Sequence, residues 1–246
     1  MFEKLIGRYG EALTARELKL VDLFGRKGKI LRNAYIPKDN GETSEIDVLY
    51  ITQKGIFVIE SKNYSGWIFG DEKQGYWTAM LPNKEKNRFY NPIKQNRTHI
   101  KWLREYISDD TVPLFSLIVF SERCELKKIT VTDEDIPVIK RDRIYATVRS
   151  IWDSSEDTIS EEGINALFEK LKPLTKVSRQ VKKEHVEQIH ERFSDPQDSS
   201  ASDGSKICPR CGQQLVLRTA KKGANAGNQF WGCSAFPKCR YIMNVE

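Results

Sequence analysis

Charged residues interrupt two short, otherwise apolar segments of this 246-residue chain at alternating positions. The segments are Glu45-Ile46-Asp47 and Glu60-Ser61-Lys62. Because strand side chains point alternately to opposite faces, Glu45 shares a face with Asp47, and Glu60 shares one with Lys62. Burying such charges is costly unless they are paired or hold a metal ion. The two segments therefore predict adjacent strands that carry a site for a cation and a phosphate.

Apolar periodicity and turn residues predict an α/β fold around these strands. A helix is expected over residues 2–24, and strands over 30–36, 44–52, 56–62 and 114–120. Asn91-Pro92 has the cap and first-position residues of a second helix. The order helix, three strands, helix, strand predicts antiparallel neighbours followed by a crossover helix.

Weaker patterns lie outside this core. We expect a hairpin of 67–69 with 76–78, one or two strands within 128–146, helices over 160–171 and 175–193, and a flexible linker over 194–205. We divide the chain into a core (1–125), an extension of the core (126–175), a charged helix with the linker (176–205) and a cysteine module (206–246).

The net charge of +6 is concentrated in the cysteine module. Residues 206–246 contain seven Lys or Arg residues and one acidic residue, whereas the first 205 residues contain 33 of each sign. Such asymmetry indicates an anionic partner, and nucleic acid fits best. No apolar run approaches the about 20 residues of a membrane-spanning helix, and the N-terminus has no secretion-signal pattern. We therefore expect a cytoplasmic, nucleoid-associated bacterial protein without a membrane partner.

Four of the five cysteines form two close pairs near the C-terminus. They are Cys208, Cys211, Cys233 and Cys239. Zinc prefers four such ligands, and a 40-residue segment has too little core to fold alone. The alternative, two disulfides, fits poorly with a chain that lacks a secretion signal. We predict one structural Zn²⁺ in the module, and a structural role for Cys124.

The strand carboxylates have the chemistry of a phosphodiesterase site. Mg²⁺ or Mn²⁺ prefers oxygen ligands and commonly takes one or two carboxylates, which Asp47 and Glu60 supply. Lys62 would hold the attacking water or stabilise the charge that builds on the phosphate. The alternative is a solvated Glu60–Lys62 pair on an edge strand. The apolar run before Glu60 favours a central strand instead.

Four motifs in order resemble the nuclease-related domain family of the PD-(D/E)xK nuclease superfamily. They are Gly7-x-x-Gly10-Glu11, Glu45-Ile46-Asp47, the run from Gly55 to Gly66, and Asn91-Pro92-x-x-Gln95. The resemblance implies a restriction-endonuclease-like αβββαβ core with a mixed sheet, and catalytic roles for Asp47, Glu60, Lys62, Glu11 and Gln95. Ile46 replaces the proline of the superfamily motif. Glu45 is an additional acid that could replace or assist Asp47, and His99 is expected to be a surface or packing residue.

The cysteine module resembles the zinc ribbons at the C-terminus of bacterial type IA topoisomerases. Matching segments are Cys208-Pro-Arg-Cys-Gly212, Leu217-Arg218, Phe230-Trp-Gly-Cys-Ser234 and Phe236-Pro-Lys-Cys239. The resemblance implies binding to single-stranded DNA. Aromatic and basic residues suited to stacking bases and contacting phosphates are Arg218, Lys221, Lys222, Phe230, Trp231, Lys238 and Arg240. Some of these aromatic residues must form the module's own core.

Together these patterns predict a metal-dependent DNA endonuclease or DNA-processing enzyme delivered by its zinc ribbon. Single-stranded or branched DNA is expected to be preferred over plain duplex. Two alternatives remain open: a nuclease fold that binds DNA or recruits partners without cutting, and an RNA-processing nuclease. Oligomeric state has no signal in the sequence.

Overall fold

A five-stranded mixed sheet lies at the centre of the larger of two units in the computed structural model. The structure describes residues 2–193, 215–219, 229–233 and 242–244, and the units are Met1–Gln188 and Ile189–Glu246. The helices are α1 (Phe2–Leu23), α2 (Pro92–Ile107), α3 (Ile144–Ser154), α4 (Glu161–Leu171) and α5 (Arg179–Phe193). The strands of the five-stranded sheet are β1 (Gly28–Pro37), β2 (Thr43–Thr52), β3 (Gly55–Lys62), β7 (Leu114–Phe120) and β9 (Val138–Lys140). Among the described residues, no helix is both long and apolar enough to cross a bilayer.

The order of strands confirms the predicted αβββαβ core. The sheet runs β1-β2-β3-β7-β9, with β1, β2 and β3 antiparallel and β7 parallel to both β3 and β9. Helix α2 is the crossover between β3 and β7. Because β3 is flanked on both sides by other strands, it is buried from Gly55 to Glu60. Glu60 and Lys62 therefore do not lie on an edge strand.

Helices cover both faces of this sheet. On one face, α2 and α4 pack against apolar residues that include Leu49, Ile56 and Val58. On the other face, α1 and α3 pack against a set that includes Tyr50, Phe57 and Ile59. Both faces of β3 are thus shielded from solvent, which explains why its sequence is apolar without alternation until Glu60.

A second sheet is formed mainly by the segment between β3 and α2. Its strands are β4 (Gly66–Asp71), β5 (Tyr76–Met80), β6 (Lys86–Tyr90) and β8 (Cys124–Thr130), in the order β6-β5-β4-β8. The predicted hairpin is confirmed, since β4 and β5 pair antiparallel. Its inner face contributes Ile68, Trp77 and Phe89 to a third apolar cluster with Phe120 of β7.

Gly70 leaves room for the Trp77 ring on the inner face of this sheet. A Cβ atom at position 70 would overlap the ring of Trp77, which is buried. We expect Gly70→Ala to lower the free energy of unfolding by about 1–3 kcal/mol, as overpacking of a core does. Gly75→Ala is the matched control, because no atom lies within 4 Å of a Cβ there. Urea denaturation of both variants measures the difference, and equal stabilities would contradict this packing.

The extension after β8 contains a predicted strand and a helix that was not predicted. One or two strands were expected within 128–146, and β9 confirms one; the chain then forms a short 3-10 turn and α3. Ile144 and Val148 are buried and Ile151 is half-buried in the cluster that contains Leu18 of α1. Their spacing of four and three residues is helical, so packing against α1 decided the structure where alternation was ambiguous.

The second unit contains a three-stranded antiparallel sheet. Its strands are β10 (Leu215–Thr219), β11 (Gln229–Cys233) and β12 (Ile242–Asn244), with β11 in the centre. Leu217 is opposite Trp231, which is opposite Met243. The expected linker 194–205 lies outside the described residues.

Candidate active site

The two charged motifs meet where the ladder between β2 and β3 ends. The last paired residues are Val48 and Ile59, so Asp47, which precedes Val48, and Glu60, which follows Ile59, are the first residues beyond the ladder. The Ser61 backbone N–H donates a hydrogen bond to Oδ2 of Asp47 at 2.8 Å. This bond fixes the Asp47 carboxylate against β3.

Lys62 joins the β3 carboxylate to α2. Its Nζ lies 2.6 Å from Oε1 of Glu60 and donates to Oε1 of Gln95 at 3.0 Å. Gln95 lies in the first turn of α2, which Asn91 caps by accepting hydrogen bonds from the Ile93 and Lys94 N–H groups. The ammonium group is thereby held between two defined acceptors instead of moving freely in solvent.

Glu11 reaches the site from α1. Its Oε2 accepts a hydrogen bond of 2.6 Å from Nδ2 of Asn33. Asn33 has φ +53 and falls opposite Asp47, between the pairs Arg32–Val48 and Ala34–Ile46. Asparagine tolerates this left-handed conformation better than most residues. A Cβ at Gly10 would lie 2.8 Å from Cβ of Asn63, so this glycine allows α1 to approach the end of β3.

The three carboxylates repel one another in a buried setting. Burial raises the pKa of Asp47 well above its usual range, and the charges of Glu60 and Glu11 raise it further. Burial also opposes ionisation of Glu60, but Lys62 and His99 outweigh this effect and lower the Glu60 pKa. For Lys62, the charges of Glu60 and Asp47 outweigh burial and raise its pKa. The pocket therefore carries excess negative charge that a single lysine does not neutralise.

His99 is a site residue that the sequence did not reveal. It was expected on the surface or in packing, but it is buried, and its Nε2 lies 3.1 Å from Oε2 of Glu60. Because a carboxylate only accepts hydrogen bonds, Nε2 must donate. Nδ1 lies 2.7 Å from Oγ of Ser44. Its position in the sequence could have indicated this role, because His99 is four residues after Gln95 and therefore on the same face of α2.

Glu45 has a different set of partners. Its Oε1 accepts a hydrogen bond from the Tyr35 hydroxyl, and its Oε2 lies 3.6 Å from Nε2 of His185 on α5. Nδ1 of His185 lies 2.9 Å from the Thr43 hydroxyl. Among the described residues, these partners are distinct from those of Asp47, Glu60 and Lys62. The structure thus brings Asp47, Glu60, Lys62, Glu11 and Gln95 together and places Glu45 beside α5.

A second group of polar residues supports β3 from the α1 side. The Thr14 hydroxyl lies 3.1 Å from that of Ser61. Arg141, which is buried, donates from Nε to Thr14 at 3.3 Å and from Nη1 to Glu122 at 2.8 Å. These contacts link α1, β3 and the chain after β7 next to Ser61, whose N–H holds Asp47.

The residues present fit a hard divalent cation. Asp47, Glu60 and Glu11 offer oxygen donors. Burial, and after it the charges of Glu60 and Glu11, raise the pKa of Asp47, and a bound divalent cation would offset both effects. No cluster of three or more His, Cys, Asp or Glu side chains with metal-binding geometry occurs among the described residues. Mg²⁺ does not require one, because it commonly uses one or two carboxylates and several waters.

The predicted ribbon residues are only partly within the described residues. Cys233 ends β11, whereas Cys208, Cys211, Cys239, Lys221, Lys222, Lys238 and Arg240 lie outside. Arg218 is opposite Phe230 across the β10–β11 pair. A Cβ atom at Gly232 would lie 3.1 Å from Cδ of Arg218, so the Arg218 side chain passes over this glycine. An arginine and an aromatic ring therefore share one face of this sheet, and Trp231 is on the other.

Comparisons with known proteins find two domains. Residues 6–121 match the family described as nuclease-related domain, and residues 205–246 match the topoisomerase DNA binding C4 zinc finger. An uncharacterized protein of Bacillus anthracis is 29% identical over 188 residues, which are 76% of this chain and 85% of that protein. DNA topoisomerase 1 of Methanocaldococcus jannaschii is 42% identical over 41 residues, which are 17% of this chain and 5% of that protein. No solved structure matches the chain significantly.

Proposed function

We propose that this chain, which carries a nuclease-related domain and a topoisomerase-type C4 zinc finger, is a divalent-metal-dependent DNA endonuclease or DNA-processing enzyme. The observation that carries the proposal is the convergence of Asp47, Glu60 and Lys62 where β2 and β3 cease to pair. In this proposal the zinc ribbon delivers the enzyme to unpaired or branched DNA. The geometry of the core supports the hydrolytic part, and the basic, aromatic ribbon supports the targeting part.

Each residue of the pocket has a distinct role in this proposal. Asp47 and Glu60 would hold Mg²⁺ or Mn²⁺, which neutralises phosphate charge and activates a water. Lys62, whose pKa is raised, stays protonated and can stabilise negative charge on the phosphate. Gln95 orients the Lys62 ammonium through its Oε1. Glu11, which accepts a hydrogen bond from Asn33, is the third carboxylate, and its negative charge favours binding of a cation.

The experiment is a cleavage assay with labelled single-stranded, duplex and branched DNA. We expect wild-type protein to cut in the presence of Mg²⁺ or Mn²⁺ and to stop when the metal is chelated. The double variant Asp47→Ala, Lys62→Ala should bind DNA without cutting it. Cleavage that persists in this variant would show that another site or a contaminant is responsible.

Two other functions would give different results in the same assay. A wild-type protein that binds DNA but never cuts with any divalent metal would be a DNA-binding or adaptor protein. Preferential cutting of a matched RNA strand would indicate RNA processing, because the 2′-hydroxyl is the group that distinguishes the two strands. The intact set of Asp47, Glu60 and Lys62 favours an active enzyme over an inactive adaptor.

His99 provides a graded test of the same pocket. We expect His99→Leu to weaken Mg²⁺-dependent activity by about 10- to 100-fold, the usual effect of losing a group that orients a metal ligand. The loss should appear mainly as a higher metal concentration for half-maximal rate, and His99→Gln, which keeps a donor, should recover part of it. Thr98→Val is the control, because Thr98 bonds to the Lys94 carbonyl on the same helix. Unchanged metal dependence in His99→Leu would mean that this histidine only fills space.

A further inference from the structure

The outer face of the four-stranded sheet is rich in aromatic and basic residues. Along β5 the side chains alternate, with Trp77 and Ala79 buried inward and their neighbours half-buried on the opposite side. We define the outer face by its side chains from four strands: Trp67 and Phe69 on β4, Tyr76, Thr78 and Met80 on β5, Lys86, Arg88 and Tyr90 on β6, and Lys128 on β8.

The pairing register arranges the side chains of the outer face in rows that run across the strands. In one row, Lys128 of β8 is beside Phe69, which is opposite Thr78, which is opposite Arg88. Because neighbouring strands lie about 4.8 Å apart, such a row is about 14 Å wide. Positive charges therefore flank an aromatic centre on two sides.

A second row ends in a lysine on β6 and in a glutamate on β8. Trp67 is opposite Met80, which is opposite Lys86. At the β8 end of this row lies Glu125, and Lys127 Nζ lies 2.7 Å from its carboxylate and lowers its pKa. The one acid of these rows is thus already paired, and the exposed Lys86 keeps the row basic.

Nothing among the described residues explains these aromatic side chains as core. Helices α1 to α4 pack on the five-stranded sheet, and the third apolar cluster lies on the inner face. On the outer face, the Arg88 guanidinium lies 5.0 Å from the centre of the Tyr76 ring, and Tyr76 and Tyr90 meet edge to face. A sheet face turned to water is usually polar, so half-exposed Trp, Phe and Tyr indicate a binding surface.

The outer face is directly connected to the candidate active site at two points. Trp67 follows Lys62 by five residues, and Tyr90 precedes Gln95 by five. Five residues span at most about 18 Å, which is roughly the length of five nucleotides at 3.4 Å each. A strand that lies on this face can therefore extend to the pocket.

We propose that the outer face binds an unpaired DNA strand beside the cleavage site. Bases stack on Trp67, Phe69 and Tyr76, while Arg88, Lys86 and Lys128 contact phosphates. Stacking is sequence-tolerant because every base has an aromatic face, and a duplex hides these faces. The inference rests on the proposed function for its substrate, and it adds a second DNA contact within the nuclease domain itself.

The first test measures affinity in the full-length Asp47→Asn protein, which keeps DNA intact during the measurement. Fluorescence anisotropy with a labelled oligothymidylate gives Kd at several salt concentrations. We expect Phe69→Ala to raise Kd by about 5- to 150-fold, and Arg88→Gln to reduce the salt slope by about one. Phe24→Ala removes an aromatic side chain that is 63% exposed, directly follows α1 and contacts Tyr145 of α3, and it should leave Kd unchanged.

The second test locates the strand by photo-crosslinking with an oligonucleotide that contains 5-iodouracil. We expect crosslinked peptides from residues 66–90 with the single-stranded oligonucleotide. These crosslinks should be lost when the complementary strand is annealed to it. Phe69→Leu retains most of the apolar volume at this position, so it serves as the second variant if Phe69→Ala does not fold. Crosslinks confined to residues 206–246, or equal Kd values for Phe69→Leu and wild type, would overturn the proposal. Crosslinks to 66–90 in a protein that never cuts DNA would instead uphold this surface and refute the nuclease function.

Discussion

Replacing Asp47 by asparagine is expected to abolish DNA cleavage and, at the same time, to stabilise the metal-free protein. Loss of this proposed metal ligand should reduce the rate by about 10³-fold or more. The stability gain arises because the neutral amide removes a buried charge that Glu60 and Glu11 repel. Optimising such a strained functional position commonly adds about 0.5–2 kcal/mol.

The pH dependence of this gain has a defined sign. The pKa of Asp47 is higher in the folded protein than in the unfolded chain, so between these values the folded state binds more protons. Stability contributed by this group therefore falls as pH rises through that window. Asparagine has no such titration, and the advantage of Asp47→Asn should grow from mildly acidic to neutral pH.

Thermal unfolding in the presence of a chelator, at several pH values, measures this difference. Each kcal/mol corresponds to about 2–4 °C for a domain of this size. Asp157→Asn is the matched control, because Asp157 is exposed and its pKa is lowered by hydrogen bonds from Lys54 and Gln53. That variant should cut DNA normally and gain no stability. A melting temperature for Asp47→Asn at or below wild type would contradict the repulsion described for the pocket.

Loss of zinc is the second large effect that we expect. Cys208→Ser should reduce bound zinc from about one ion per chain to a small fraction of that value. Structural zinc contributes about 10–16 kcal/mol to modules of this kind, so the segment 206–246 should unfold. Because this segment holds the whole net charge of +6, DNA affinity and its salt dependence should both decrease.

Cys124→Ser is the control for the zinc measurement. Cys124 is buried, and burial raises the pKa of its thiol to about 11. A protonated thiol is a poor zinc ligand, so this variant should keep its zinc and its salt slope. Atomic emission for metal content and a binding titration at several salt concentrations test both variants. Equal zinc content in the two proteins would refute the four-cysteine site.

Local patterns predicted the strands of the core because their determinants are close in sequence. The turn between Thr52 and Gly55 and the cap at Asn91 define elements within a few residues. Strand β6 was missed because its edge position leaves Lys86, Asn87 and Arg88 exposed, which removes the alternation of a half-buried strand.

The parts of the site that were not predicted depend on distant contacts. Asn33 was missed because its left-handed backbone leaves no periodic signal. His99 resembles any polar residue on a helix until β2 supplies Ser44, 55 positions away. Arg141 reaches Thr14 across 127 positions. Such pairs become visible only when the fold brings the elements together. Glu11 and Gln95 would also have been missed if the motifs that contain them did not resemble a known family.

The packing of α3 and α4 has a practical consequence for the length of the folding unit. The family match ends at residue 121, yet α3 and α4 cover opposite faces of the central sheet. A recombinant fragment cut at the homology boundary would turn β7 into an open sheet edge and expose the apolar surfaces beneath both helices. Exposed edges and apolar patches favour aggregation. Fragments meant for crystallisation or for exchange of domains between relatives should therefore extend beyond Leu171.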